Sequence, residues 1–386
     1  MSSIEGYLRA NGEYGIRNHL LIIPTVICAN QVSNRISQLV PGTVAIPHQH
    51  GCSQIGADKD RTFNTLAGTG INPNVGGVIV VSLGCEVIDP YQLADAIRVS
   101  GKPVEVVDIQ TCGGSIKAIQ QGTEIAKRLR ADLDQQHKVE MPLSRLRIGV
   151  KCGGSDATSG MASNPALGVA SDLLIAEGGT VVISETTEII GAEHIMAARC
   201  STPEIGEQLY TFIERFEKEI NRMGADMRGG NPSPGNIAGG LSTIEEKSLG
   251  CISKCGTSPM VGAFEYAESI PGTGLYFMDS PGNDIECVSG MAASGVHLVC
   301  FTTGRGTPTG GAVIPVIKIT GNKRIAQLMA DNMDVDVSAM LEGTISVTEA
   351  GEDIWREIVE VAAGKEVKAE LLGHQEFSIN RIGPTL

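Results

Sequence analysis

Histidine, cysteine and glutamate recur beside glycine in this chain, at His48-Gln49-His50-Gly51-Cys52, Gly84-Cys85-Glu86, Cys112-Gly113-Gly114 and Cys152-Gly153-Gly154. Glycine has no Cβ, so the backbone next to these donors can come close to a ligand or a metal. A set mixing imidazole, thiolate and carboxylate suits Fe(II) or Zn(II) rather than Mg(II) or Ca(II). The candidate metal ligands are His50, Cys52, Cys85 and Glu86, drawn from two loops. Spacing alone does not bring them together, and packing or strand capping is the plain alternative for each. For an anion, Arg305 in Thr303-Gly304-Arg305-Gly306 offers a planar fork between glycines, and Arg17 with Asn18 comes second. The competing role for Arg17 is an ion pair with an Asp or Glu. The amides of Gly153, Gly154 and Ser155 would form an anion nest without side-chain charge.

Four residues compete as the base. Glu185 lies just past the apolar run Val181-Val182-Ile183, where burial would raise its pKa. Lys247 would need burial to lose its proton. His194 offers an imidazole, the side-chain type best suited to proton transfer at neutral pH. His194 and Glu188 are favoured over the other two.

These residues need strand ends to hold them. His19 to Pro24, Val44 to Pro47, Val75 to Leu83 and Val104 to Ile109 are short apolar or β-branched runs, and the His, Cys and Glu clusters follow three of them. Helical patterns over 28–39 and 116–130 alternate with these runs. That order predicts a parallel sheet flanked by helices, with ligands gathering outside the carboxyl ends of its strands. The polar stretch near 131–146 reads as a linker. Beyond it, strands near 181–184, 275–278, 296–301 and 313–319 combine with helices near 165–176, 204–223 and 352–363. The expectation is an α/β protein of two domains, 1–135 and 146–386, each with a mostly parallel sheet flanked by helices.

Composition narrows the class. The 386 residues are 42% hydrophobic with a net charge of −14 and no long basic block, which excludes a nucleic-acid footprint. No apolar stretch reaches a membrane-spanning length, and the amino terminus lacks a secretory pattern. A cytoplasmic protein follows, whose ten cysteines are unpaired. Cys28, Cys200, Cys287 and Cys300 sit in apolar or mixed runs and read as buried thiols.

Several loops resemble the altronate/galactarate dehydratase family. They include Gly15-Ile16-Arg17-Asn18, Gly84-Cys85-Glu86, Cys152-Gly153-Gly154-Ser155-Asp156 and Asn164-Pro165-Ala166. Ser184-Glu185-Thr186-Thr187-Glu188, Gly191-Ala192-Glu193-His194, Asn231-Pro232-Ser233-Pro234-Gly235-Asn236 and Thr302-Thr303-Gly304-Arg305-Gly306 continue the likeness, in order, from about Gly6 to Arg381. The resemblance implies an iron-dependent lyase, with Fe(2+) as cofactor, acting on a small hydroxy acid. Sugar-acid members carry a small SAF-type domain ahead of the segment at which this chain begins. Its absence implies a separate small SAF-type subunit, a hetero-oligomer, and this chain as the catalytic large subunit. The loop His48 to Gln54 also departs from the more Gly-rich form associated with altronate dehydratase.

Elimination from a 2-hydroxy acid needs the carboxylate held, the proton next to it removed, and a cation for the enediolate that develops. The expected reaction is (2R)-3-sulfolactate to pyruvate plus sulfite, with dehydration of altronate or galactarate as the alternative. Two rivals come from other classes. One is acyl transfer on Cys152 or Cys255 with His194 as base; the other is a non-catalytic sugar-acid-binding or regulatory subunit.

Overall fold

The structure, a computed structural model, describes residues 3–384 and 386. Two parallel sheets dominate it, each flanked by helices as the β-α alternation predicts. The first has four strands in the order Thr43–Ala45, His19–Pro24, Val75–Ser82 and Val104–Asp108. Alternate side chains leave this sheet on opposite faces. Leu20, Ile22, Ile79 and Val81 pack on the helices Asn30–Leu39 and Ser115–Asp134. Leu21, Ile23, Val78 and Val80 face the other way, towards Gly56–Ile71 and Pro90–Arg98. Burial on both faces is why these strands read as unbroken apolar runs.

The second sheet has seven strands, ordered Met260–Phe264, Gly274–Met278, Thr180–Ile183, Arg147–Cys152, Leu298–Thr302, Val316–Thr320 and Val335–Asp336, parallel throughout. One face, with Val150, Ile183, Phe277 and Cys300, packs on Asn164–Ala176, Pro203–Arg222 and Val347–Ala363. The other face shares one apolar core with the first sheet, through Val182, Met278, Val299 and Phe301.

The join between the sheets is made by two helices, Gly56–Ile71 and Asp284–Ala293. A methyl on Gly68 would lie 2.3 Å from the Ala293 carbonyl oxygen, so glycine is required for this approach. Nearer the start of both helices, Arg61 lies 5.2 Å from the ring centre of Tyr266, whose hydroxyl donates to the Glu286 carbonyl. The helices therefore run the same way. Each begins at the carboxyl edge of its own sheet, so the two carboxyl edges open on one side of the molecule.

The polar stretch expected as a linker is ordered. The helix Ser115–Asp134 occupies its start, and Val139–Pro142 pairs antiparallel with Ser3–Leu8 in a small sheet that also holds Tyr14–Gly15. Arg17 and Asn18 belong to this join rather than to a substrate site. The Arg17 guanidinium pairs with Glu370 at 2.8 Å and donates to the carbonyls of Val361 and Lys365. Asn18 accepts from Arg9 at 2.8 Å and donates to the Leu133 carbonyl at 3.0 Å. Both are corrected from anion binding to structure, because their hydrogen-bonding groups are spent within the protein.

Candidate active site

Two adjoining cavities open at the carboxyl edge of the seven-stranded sheet. The larger, of about 320 Å³, is lined by Cys152, Gly153, Gly154, Glu188, Lys247 and Asp284, among others. The smaller, of about 230 Å³, shares Cys152 and Lys247 and adds Ser155, Asp156 and Asn164. A π-turn at Ser159–Ser163 forms part of its wall before the helix Asn164–Ala176 begins.

The floor is a buried charge network built on one strand. Arg147–Cys152 is buried from Ile148 onward, yet it carries Lys151, a wholly buried lysine. Its ammonium meets Glu185 Oε1 at 2.8 Å and Asp284 Oδ1 at 2.6 Å, and lies 4.3 Å from the Phe301 ring centre. Burial works against the charge, but the two carboxylates hold the Lys151 pKa well above its ordinary value. Removing one member of such a pair leaves an uncompensated buried charge, at a cost of about 3–5 kcal/mol.

Glu185 occupies the left-handed region at φ 74°, a conformation rare outside glycine. Its amide donates to Ser280 Oγ at 3.1 Å, and its Oε2 accepts from the Cys152 amide at 3.2 Å. Burial alone would raise its pKa, as expected from sequence, but Lys151 and Lys254 outweigh burial and bring it below the ordinary range. Glu185 is thus a fixed carboxylate, corrected from the role of base.

Glu188 is the opposite case. Burial pushes it up to about 7, against the pull of Lys247. One oxygen accepts from Lys247 Nζ at 2.7 Å, and the other is buried with no partner. Burial also opposes the Lys247 charge, but Glu188 holds the ammonium above its ordinary pKa, and Asn231 Oδ1 accepts from it at 2.7 Å. Lys247 therefore stays charged, correcting its reading as a base. The pair places a carboxyl that exchanges a proton near neutrality beside a permanent cation, at the cavity wall.

Beneath them lie two thiols and a lysine. Cys152 and Cys251 sulfurs are 3.5 Å apart, with Lys254 Nζ 3.4 Å from the first and 2.6 Å from the second. The hydrogen bond to Cys251 draws Cys152 down to about 6; burial resists this and Lys254 assists it. Cys152 Sγ, Cys251 Sγ and a Glu188 oxygen lie within 4.8 Å of one another, the one such trio of metal-ligand type among the described residues.

Glycine gives access to this floor. A methyl on Gly153 would lie 2.4 Å from Asp284 Oδ1 and 2.8 Å from the Phe301 ring. Gly154 has φ 56°, and its carbonyl accepts from the Arg305 amide at 2.9 Å. Arg305 itself is exposed, its Nε 3.8 Å from where a methyl on Gly235 would stand. Ser155 is buried, with a hydroxyl that has no partner, and its carbonyl accepts from Asn236 at 2.8 Å.

Other candidates lie elsewhere. His194 is exposed on the short helix Glu193–Ala198 and lines neither of these two cavities. The four expected metal ligands do not form a tight donor set. Glu86 spends its oxygens on the Thr25 hydroxyl at 2.7 Å and the Leu83 and Gly84 amides at 3.1 and 2.7 Å. His50 Nε2 bonds the Ile379 carbonyl, while Cys52 and Cys85 are exposed. The residues missed from sequence are Lys151, Lys254, Cys251 and Asp284. A lysine closing an apolar strand run was the available signal for Lys151.

An α/β protein with a buried carboxyl–ammonium pair at a strand-end cavity is what this fold and site define. The chain belongs to the D-galactarate/altronate dehydratase family. Residues 6–134 match the family's second-domain model, D-galactarate dehydratase/altronate hydrolase, and 143–385 match its C-terminal model, D-galactarate/altronate dehydratase. It is 40% identical to the (2R)-sulfolactate sulfo-lyase subunit beta of Chromohalobacter salexigens, over 98% of this chain and 97% of that one. It is 35% identical to the altronate dehydratase of Bacillus subtilis and 36% to that of Escherichia coli, covering 78% of each. These relationships make it an enzyme of the lyase and dehydratase class. Among the described residues no helix is long and apolar enough to cross a membrane.

Proposed function

We propose that this chain is the catalytic large subunit of a cytoplasmic lyase that converts (2R)-3-sulfolactate to pyruvate and sulfite. The observation that carries the lyase reading is the Glu188–Lys247 pair, a carboxyl raised to about 7 against a charged ammonium at a polar cavity. The likeness along both full lengths to a subunit named for sulfolactate favours this substrate. A partner subunit completes the enzyme in this proposal, since that relative is named as a subunit beta, and the family resemblance makes that partner a small SAF-type chain.

Glu188 takes the proton from C2, the carbon next to the carboxylate. The electron pair forms the C2–C3 double bond as the C3–S bond breaks, and sulfite leaves with the bonding pair. The enol of pyruvate then takes a proton at C3 to give the keto acid. Lys247 keeps the Glu188 carboxylate oriented and places positive charge beside the developing enediolate. Arg305, exposed beside Gly154 of the larger cavity, holds the sulfonate or the carboxylate through its fork. Asp284, fixed by Lys151, excludes anions from the inner wall and so sets the binding direction.

The iron implied by the family would supply a Lewis acid to the substrate's carboxylate and hydroxyl. The trio Cys152, Cys251 and Glu188 has suitable donor types but unsuitable surroundings. Lys254 lies against both sulfurs and Lys247 against the carboxylate, so a divalent ion there would meet two fixed ammonium groups. The trio does not fit the ion, and no step is assigned to it.

Dehydration of a sugar acid is the second reading, favoured by the altronate relatives, and it shares the proton abstraction by Glu188. The test is co-expression with the small subunit, anaerobic loading with Fe(II), and parallel assay on sulfolactate, altronate and galactarate. Sulfite and pyruvate from sulfolactate support the proposal. A 2-keto-3-deoxy sugar acid without sulfite transfers the chemistry to dehydration. Silence on all three substrates, with iron bound, sinks the substrate assignment.

A further inference from the structure

Every strand of the four-stranded sheet delivers a thiol to its carboxyl edge. Cys28 follows His19–Pro24, Cys52 follows Thr43–Ala45, Cys85 follows Val75–Ser82 and Cys112 follows Val104–Asp108. Cys28 reads as a buried thiol in the sequence, but the structure exposes it, together with Cys52 and Cys85. Cys112 is turned away, its thiol hydrogen-bonded to Gln121 at 3.0 Å.

The loops carrying the three exposed thiols are bonded to one another in all three pairings. The Ile27 amide donates to the His50 carbonyl at 3.0 Å, tying the Cys28 turn to the Cys52 loop. The Val87 amide donates to the Gly51 carbonyl at 2.9 Å, tying Cys52 to Cys85. The Thr25 hydroxyl donates to Glu86 at 2.7 Å, tying Cys85 back to Cys28. A methyl on Gly51 would stand 2.0 Å from the Thr25 carbonyl oxygen, so the loops press together at their centre. Beneath them His50 is 8% exposed, and its Nδ1 is buried without a partner.

Three free thiols on interlocked loops make a poor resting surface, since exposed thiols invite oxidation and exchange. A shared thiophilic ligand removes that liability. A single ion would need the three sulfurs tightly gathered, and they are not among the tight donor groups of the described residues. A polynuclear cluster interposes its own irons and sulfides, so its thiolates stand further apart. Fe–S clusters are held by cysteine thiolates of this kind.

We infer that Cys28, Cys52 and Cys85 together bind an iron–sulfur cluster at the carboxyl edge of the four-stranded sheet. Three thiolates leave one iron of a cubic cluster without a protein sulfur. That edge opens on the same side of the molecule as the Glu188 cavity. The inference rests on the four-stranded sheet alone and stands whichever hydroxy acid the cavity takes.

The test uses the full chain, co-expressed with its small subunit and purified without air. Iron and acid-labile sulfide are quantified, with visible absorption and electron paramagnetic resonance after reduction. The expected result is iron and sulfide in equal amounts, about four of each per chain. Cys28→Ser, Cys52→Ser and Cys85→Ser each lose the visible absorption and most of the sulfide, whereas Cys112→Ser and Cys251→Ser retain both. Because the three positions are exposed, the serine variants should melt as the cluster-stripped parent does, which a thermal scan checks. Independently of any variant, iodoacetamide should label these three cysteines only after the cluster is stripped. Iron without labile sulfide, or sulfide retained in the three variants and lost in Cys251→Ser, would overturn the inference. So would a chain that holds neither iron nor sulfide.

Discussion

The two carboxyl edges of this molecule open on the same side but differ in chemistry. At the seven-stranded sheet, Lys151, Lys254, Glu185 and Glu188 are buried, and each charge has a counter-charge within 3.6 Å. At the four-stranded sheet the donors are exposed thiols, and the acidic side chains beside them, Glu86 and Asp108, are consumed by amides and hydroxyls. The difference follows from the cost of burial. A buried ion must be matched or neutralised, so charged chemistry can sit in a dry cavity only inside a network. A thiol carries no such desolvation cost, so it can stand at the surface without a counter-charge.

The sharpest way to break the contrast is to delete a charge from the buried edge. Lys151→Met should cost about 3–5 kcal/mol of stability, because Glu185 and Asp284 lose their shared cation. Urea unfolding measures this, and a loss below about 1 kcal/mol would show the network to be slack. Arg305→Ala tests an exposed charge, where no burial is at stake. Losing a charged hydrogen bond to the substrate should raise KM by about ten- to a hundredfold with kcat little changed. A fall in kcat at constant KM would instead place Arg305 in the transition state.

Acid tests the cost of burying ions at other sites. Burial depresses His48 to about 4, and burial followed by the nearby Arg147 depresses His297 to about 3. The unfolded chain, with histidines near 6.5, binds protons that the folded chain refuses. Stability is therefore full above 6.5 and falls as pH drops towards 4, by up to about 1.4 kcal/mol per pH unit for each group. A urea midpoint that stays flat between pH 6.5 and 4 would contradict this. The smallest effect is expected at His194→Ala. Its exposed ring touches neither cavity, so activity should stay within about twofold and stability within about 0.5 kcal/mol.

The strands were legible because parallel sheets buried on both faces leave continuous apolar runs, as Val75–Ser82 does. The helix Gly56–Ile71 was not, because its buried face is built from threonines and glycines such as Thr65, Thr69 and Gly70 rather than from a large apolar stripe. Within the site, Glu188 and Lys247 were named from type and neighbourhood. For Glu185 the apolar run beside it predicts the wrong shift, because Lys151 and Lys254 arrive from distant segments, 34 and 69 residues away. Arg17 and Asn18 look like ligand donors in a linear motif, yet their partners, Glu370 and Leu133, are fixed only by the fold.

The central claim is that Glu188 removes the C2 proton. The direct measurement follows deuterium loss from C2-deuterated sulfolactate, in the assembled enzyme and in its Glu188→Gln variant. The account predicts that the variant still binds substrate but loses deuterium washout and sulfite release together, by about 10²- to 10⁴-fold. Washout in the variant at the parent rate would show that another group takes the proton and that Glu188 only shapes the cavity.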